Sequence, residues 1–182
     1  MEKKVLTEID VYVGEVNSPK GFEIDRQKIK SDILISHIKN NKVDKNNYYC
    51  ANDYIVPFSQ PLDWLSHYIK DFFKLNHNKP LCDHSIYGHM FFSGEQSFLR
   101  NQIDENDLNN SPYYTLIYGL DVDEDSCELI IEYDNNKIKD NTWHLPLINN
   151  NYILFPSTQK YMISKNTSDQ INTFLTINYS IV

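Results

Sequence analysis

The last third of the chain, from Tyr113 to Val182, repeats one pattern: short apolar runs broken by turn-forming residues. The runs Tyr113–Leu120, Cys127–Ile131, Tyr152–Phe155 and Phe174–Ile181 are rich in Ile, Leu, Tyr, Phe and Thr. These types suit the pleated, half-buried surface of a sheet. From His84 onward the apolar residues fall on alternate positions, which predicts strands at 84–92, 96–103, 113–121, 127–133, 142–147, 151–155, 160–164 and 172–181. Strands that short bury their apolar faces only by stacking as two sheets or closing into a barrel.

The first half reads differently. Ile9, Val11 and Val13 alternate with polar residues and predict an opening strand over 9–16, broken by Asn17-Ser18-Pro19-Lys20-Gly21. Ile29, Ile33 and the Leu34/Ile38 pair recur at helical spacing over 25–38, with Asp25 placed to cap the start. A second helix is predicted over 61–75, with Leu62, Leu65, Ile69 and Phe72 as its apolar stripe and Pro61 in its first turn. Residues 39–47 and the run Lys137 to Lys139 read as solvated loops. The fold class is therefore mostly β: a β-sandwich or jelly roll with two N-terminal helices on one sheet. A length of 182 residues suits one domain, with the strand and helices in 1–82 and the jelly-roll core in 83–182.

Charge and composition narrow the function. A net charge of -8 with no basic stripe argues against nucleic acid. With no leading apolar segment and no apolar run of about 18 residues, the reading is a protein neither secreted nor membrane-spanning. Cys50, Cys82 and Cys127 are odd in number and widely spaced, fitting neither a disulfide framework nor a zinc motif, and read as reduced apolar residues. The signatures of serine hydrolases, P-loop NTPases and dinucleotide-binding folds are absent from the sequence.

The order of these elements, with Ser126-Cys127-Glu128-Leu129 and Phe155-Pro156-Ser157, resembles the 2-oxoglutarate/Fe(II) oxygenases of phages and marine bacteria, which implies a double-stranded β-helix, a form of jelly roll, as the core. In that family a His-x-His or His-x-Asp pair follows a Gly-containing turn, here Ser93-Gly94-Glu95. The pair's slots fall on Arg100 and Gln102. The third ligand follows Phe-Pro-Ser, where this chain has Tyr161, and the arginine that holds the co-substrate falls on Phe174. Positions 100 and 102, two apart on a strand, share a face, as a facial triad requires. The residue types do not suit it. Fe(II) takes two imidazoles and a carboxylate. A guanidinium has no lone pair to give, an amide is neutral, and a phenol stays protonated at neutral pH.

The resemblance thus implies a degenerate site: Arg100, Gln102 and Tyr161 at the metal positions, Phe174 at the co-substrate position, Tyr87 and His89 lining any pocket, and no catalytic residue or bound metal. One reading sets the Arg100 guanidinium where the metal would be, partnered by Asp104. The expected function is a pseudoenzyme of phage origin with no cofactor, located in the virion or the host cytoplasm. It would act as a virion structural, assembly or protein-binding component, with other proteins or itself as partner. The alternative is a 2-oxoglutarate/Fe(II)-dependent hydroxylase whose ligands lie elsewhere. Asp83, His84, His89 and His144 are the remaining candidates for that role. His84 and His89, five apart, face opposite sides of a regular strand. Glu128 and Glu132 read as a solvent-facing edge, and Asp121 to Asp125 as a solvated turn rather than a calcium loop.

Overall fold

The computed structural model describes residues 9–20, 23–40, 53–133 and 142–182. Cys50, most of the 39–47 loop and the Lys137–Lys139 turn lie outside the described residues. Eleven named strands and helices run in the order β1 (Tyr12–Glu15), α1 (Arg26–Asn40), β2 (Tyr54–Ile55), α2 (Gln60–His77), β3 (Leu81–Phe91), β4 (Tyr114–Asp121), β5 (Glu128–Glu132), β6 (Thr142–Pro146), β7 (Asn151–Pro156), β8 (Lys160–Ile163) and β9 (Asn172–Ile181). A single turn of 3-10 helix, Leu108–Asn110, precedes β4. The strands form a six-stranded sheet in the order β1-β7-β4-β9-β3-β2 and a three-stranded sheet in the order β6-β5-β8. Every pairing between these strands is antiparallel. Among the described residues no helix is long and apolar enough to cross a membrane.

Alternation along the central strands explains why the large sheet has two buried faces. On β9, Leu175, Ile177 and Tyr179 join Leu116, Tyr118 and Leu154 against the helices. The opposite face carries Phe174, which joins Ile117, Ile153 and Phe155 against the small sheet. Residues Asn172 to Tyr179 are all buried. A strand covered on both sides has no solvent face to spare for polar side chains. Of the polar side chains that remain there, Thr176 meets His89, and Asn178 meets Thr115, Ser85 and Gln102.

The helices cover the outer face of the large sheet. Asp25 Oδ1 accepts a hydrogen bond from the Lys28 backbone N–H at 2.9 Å, capping α1 as expected. Ile29 and Ile33 are fully buried. The expected Leu34/Ile38 stripe does not continue: both are exposed. On α2 the buried set is Leu62, Leu65, Ser66, Ile69 and Phe73. Phe73, one helical turn after Ile69, takes the inward place expected of Phe72. α1 lies so close to β3 that a methyl group on Gly88 would meet Ile33 Cγ1 at 2.4 Å. Glycine is required there by close approach, not by backbone angle.

The predicted strand at 96–103 is not a regular strand. It follows β8 through single contacts, Ser97 N–H to Ile163 O at 3.1 Å and a reciprocal pair between Arg100 and Tyr161 at 2.9 and 2.8 Å. The Ser97 hydroxyl takes the Ile163 N–H at 2.7 Å, a bond that a ladder would give to a backbone carbonyl. The strand β2 was not foreseen, since two residues are too few for a periodicity.

Candidate functional site

β3, β8 and the segment between β3 and β4 bring His89, Tyr161, Arg100 and Gln102 to one place. Arg100 and Tyr161 face each other across the small sheet's edge as backbone partners. Gln102, two residues on, donates from Nε2 to the Tyr161 hydroxyl at 2.6 Å. Tyr161 is 1% exposed and stacks edge-on against Phe155. The guanidinium carbon of Arg100 lies 5.9 Å from the Tyr161 ring centre, within cation–π reach.

The guanidinium is held by a residue that the sequence did not flag. Arg100 Nη1 and Nη2 donate to the two carboxylate oxygens of Asp53, each at 2.8 Å. This is the parallel fork geometry that gives arginine–carboxylate pairs their strength. The side chains are 27% and 33% exposed, so the pair is half-buried. Asp104 is not the partner. The backbone turns at Asp104, whose carbonyl accepts the Asp107 N–H at 3.0 Å. Its carboxylate accepts the Asn106 N–H at 2.9 Å, away from the face of residue 100.

His89 completes the group from β3. Its Nδ1 lies 3.4 Å from Asp53 Oδ1 and its Nε2 2.8 Å from the Thr176 hydroxyl. Tyr87 shares its face of β3 by alternation and is partly exposed. Below Gln102 the polar contacts continue into the sheet. Asn178 Nδ2 donates to Gln102 Oε1 at 3.2 Å and to Ser85 Oγ at 3.0 Å. Its Oδ1 accepts the Thr115 hydroxyl at 3.0 Å, and Thr115 meets Ser157 at 2.8 Å. Phe174 does not join this polar group. It is fully buried between the sheets, edge-on to Phe91 with ring centres 5.5 Å apart.

The electrostatics follow from this packing. Burial works against the Arg100 charge, but Tyr161 and the Asp53 carboxylate outweigh it and hold the pKa above the ordinary arginine value. Burial pushes the Tyr161 phenol up, only partly offset by Arg100 and Gln102. The pair is therefore a cation and a neutral phenol at any physiological pH.

No protein-family model matches the sequence. No curated protein matches it. Solved structures do. A prolyl hydroxylase from Trichoplax adhaerens, in complex with a hypoxia inducible factor peptide, is 12% identical with a TM-score of 0.63, covering 93% of this chain and 83% of its own. A Pseudomonas putida prolyl-4-hydroxylase is 8% identical with a TM-score of 0.62, covering 93% and 91%. The viral collagen prolyl hydroxylase of Paramecium Bursaria Chlorella virus-1 is 11% identical with a TM-score of 0.59, covering 92% and 95%.

The chain has the fold of the 2-oxoglutarate/Fe(II) oxygenases. At such identities the likeness is one of fold, and the function must be argued from side chains.

The side chains of this oxygenase fold do not fit Fe(II). Arg100 offers a positive charge in place of a lone pair. The Gln102 carbonyl is already taken by Asn178, and both Asp53 oxygens are taken by the guanidinium. Among the described residues no three of His, Cys, Asp or Glu converge. The other histidines stand apart. His84 sits at a β-bulge between Asp83 and Ser85 and is exposed, 3.3 Å from the Ser180 hydroxyl. His144 pairs with Glu128 at 2.8 Å on the outside of the small sheet. Asp83 is taken by Ser66 and Lys70.

Sequence reasoning missed Asp53, Thr176 and Asn178. The last two left a signal: polar residues alternating with Leu175, Ile177 and Tyr179. Asp53 left none, since nothing local ties it to residue 100.

Proposed function

We propose that this chain uses an oxygenase fold for binding another protein and carries out no oxidation at the family's iron position. The observation behind this reading is the Asp53–Arg100 ion pair, which sets a permanent cation against a carboxylate at the residue that the sequence resemblance aligns with the first metal ligand. A divalent ion there would be repelled by the guanidinium and would find the carboxylate occupied. The co-substrate position is apolar as well, since Phe174 cannot pair with a carboxylate. A binding role is supported by large apolar side chains left in solvent near the same edge: Ile38 at 64%, Ile55 at 75% and Phe58 at 82% exposure.

A second reading, a 2-oxoglutarate/Fe(II)-dependent hydroxylase, draws its support from the structural neighbours. All three are prolyl hydroxylases, and the viral one was solved as a 2-oxoglutarate complex. The fold weighs toward this reading and the side chains weigh against it. Metal analysis of protein purified without chelator, with succinate measured after incubation with Fe(II), 2-oxoglutarate and ascorbate, separates the two. The binding reading expects iron well below one per chain and no succinate above the protein-free control. One iron per chain together with succinate would replace it with the hydroxylase reading.

A further inference from the structure

We propose that Arg100 is a built-in replacement for a metal ion: its guanidinium is the cation that the Asp53–His89 half-site would otherwise recruit from solution. This rests on the reading that no iron sits at position 100, and it adds what the remaining residues there are doing.

The argument begins with the groups around the guanidinium. Asp53 presents both carboxylate oxygens to it at 2.8 Å. His89, only 2% exposed, brings Nδ1 to within 3.4 Å of the same carboxylate. Its other nitrogen is fixed by Thr176 at 2.8 Å, which sets the ring's orientation. A carboxylate with an oriented imidazole nitrogen 3.4 Å from it offers two of the ligand types that a divalent cation takes, with the contact that orients the ring included. Tyr161 lines the opposite side with its ring face. Buried Arg100 Nε has no hydrogen-bond partner. The guanidinium is thus held by its charge and its two outer nitrogens, as an ion would be, and not by a full set of donors.

Removing one partner of such a pair leaves the other uncompensated and half-buried, which is costly. A vacated position beside Asp53 and His89 should therefore take up a cation. In the intact protein the position is filled by a group that cannot dissociate. The fold then needs no metal for its stability, and metal availability has no influence on it.

The test compares the wild type with R100A and R100A/D53N, using Ni(II) as a redox-inert probe and the guanidinium ion as a second one. Thermal melting and calorimetric titration are the readouts. The wild type is expected to show no shift with Ni(II). R100A is expected to melt lower and to recover on adding either Ni(II) or guanidinium, with Ni(II) binding one to one. R100A/D53N is expected to lose both responses. If R100A does not fold, R100H carries the test, because it adds an imidazole beside His89 and Asp53 and is expected to bind one equivalent of Ni(II). No cation response from R100A, or no binding by R100H, overturns the proposal. A wild type that is iron-free and inactive alongside that result leaves the binding reading intact. A wild type that binds Ni(II) one to one with Arg100 in place overturns the proposal directly.

Discussion

Gly88→Ala tests how tightly the helical layer is pressed on the sheet that carries His89. The added Cβ would lie 2.4 Å from Ile33 Cγ1 and 2.7 Å from its Cδ1. Carbon atoms in contact prefer about 3.5–4.0 Å, so roughly 1 Å of movement is required. Ile33 is fully buried and has no free space to move into. Overpacking of this kind costs about 1–3 kcal/mol. Lost freedom in the unfolded chain returns about 0.4–1 kcal/mol on replacing glycine by alanine. The expected net loss is thus about 1–2 kcal/mol, or ~2–8 °C in Tm for a chain of this size. Urea unfolding followed by circular dichroism measures it. The control is Ile33→Ala, which alone should cost about 2–5 kcal/mol through the cavity it leaves. In the double variant the methyl at 88 enters that cavity, so the second substitution should be neutral or stabilising, a coupling above about 1 kcal/mol. Strictly additive costs would refute the claim that Gly88 is set by contact with Ile33.

Three further outcomes follow from the buried polar and aromatic groups. Asn178→Ala strips partners from Thr115, Ser85 and Gln102 at once, and should cost about 1–3 kcal/mol in denaturant unfolding; a neutral effect would mean water satisfies these groups. Phe174→Ala empties the space between the sheets and should cost about 3–5 kcal/mol, against little change if the position faced an open cleft. Stability should fall at alkaline pH. Burial raises the pKa of Tyr161 and pushes that of Tyr118 up to about 12. Below about pH 10 both are protonated in the folded and unfolded chain alike. Above it the unfolded chain loses protons that the folded chain keeps, at about 1.4 kcal/mol per pH unit for each tyrosine. Tyr118→Phe should flatten that slope between about pH 10 and 12; an unchanged slope would place the effect elsewhere.

The sequence by itself determined the layers. Period-two alternation in the second half and the buried Ile29, Ile33, Leu65 and Ile69 in the first are local patterns, and local sterics decide whether they become strands or helices. It also determined the residue types at 100, 102 and 161, since Arg100, Gln102 and Tyr161 are what they are whatever the fold. What only the tertiary structure decided is whom they meet. Asp53 reaches Arg100 across a gap of 47 residues, and Gln102 reaches Asn178 across 76. Such contacts have no periodic trace, because they depend on how separate strands are stacked and not on any neighbour along the chain. The same holds for Leu34, Ile38 and Phe72: their spacing is helical, but which positions of a helix meet the sheet is set by how the helix docks on it.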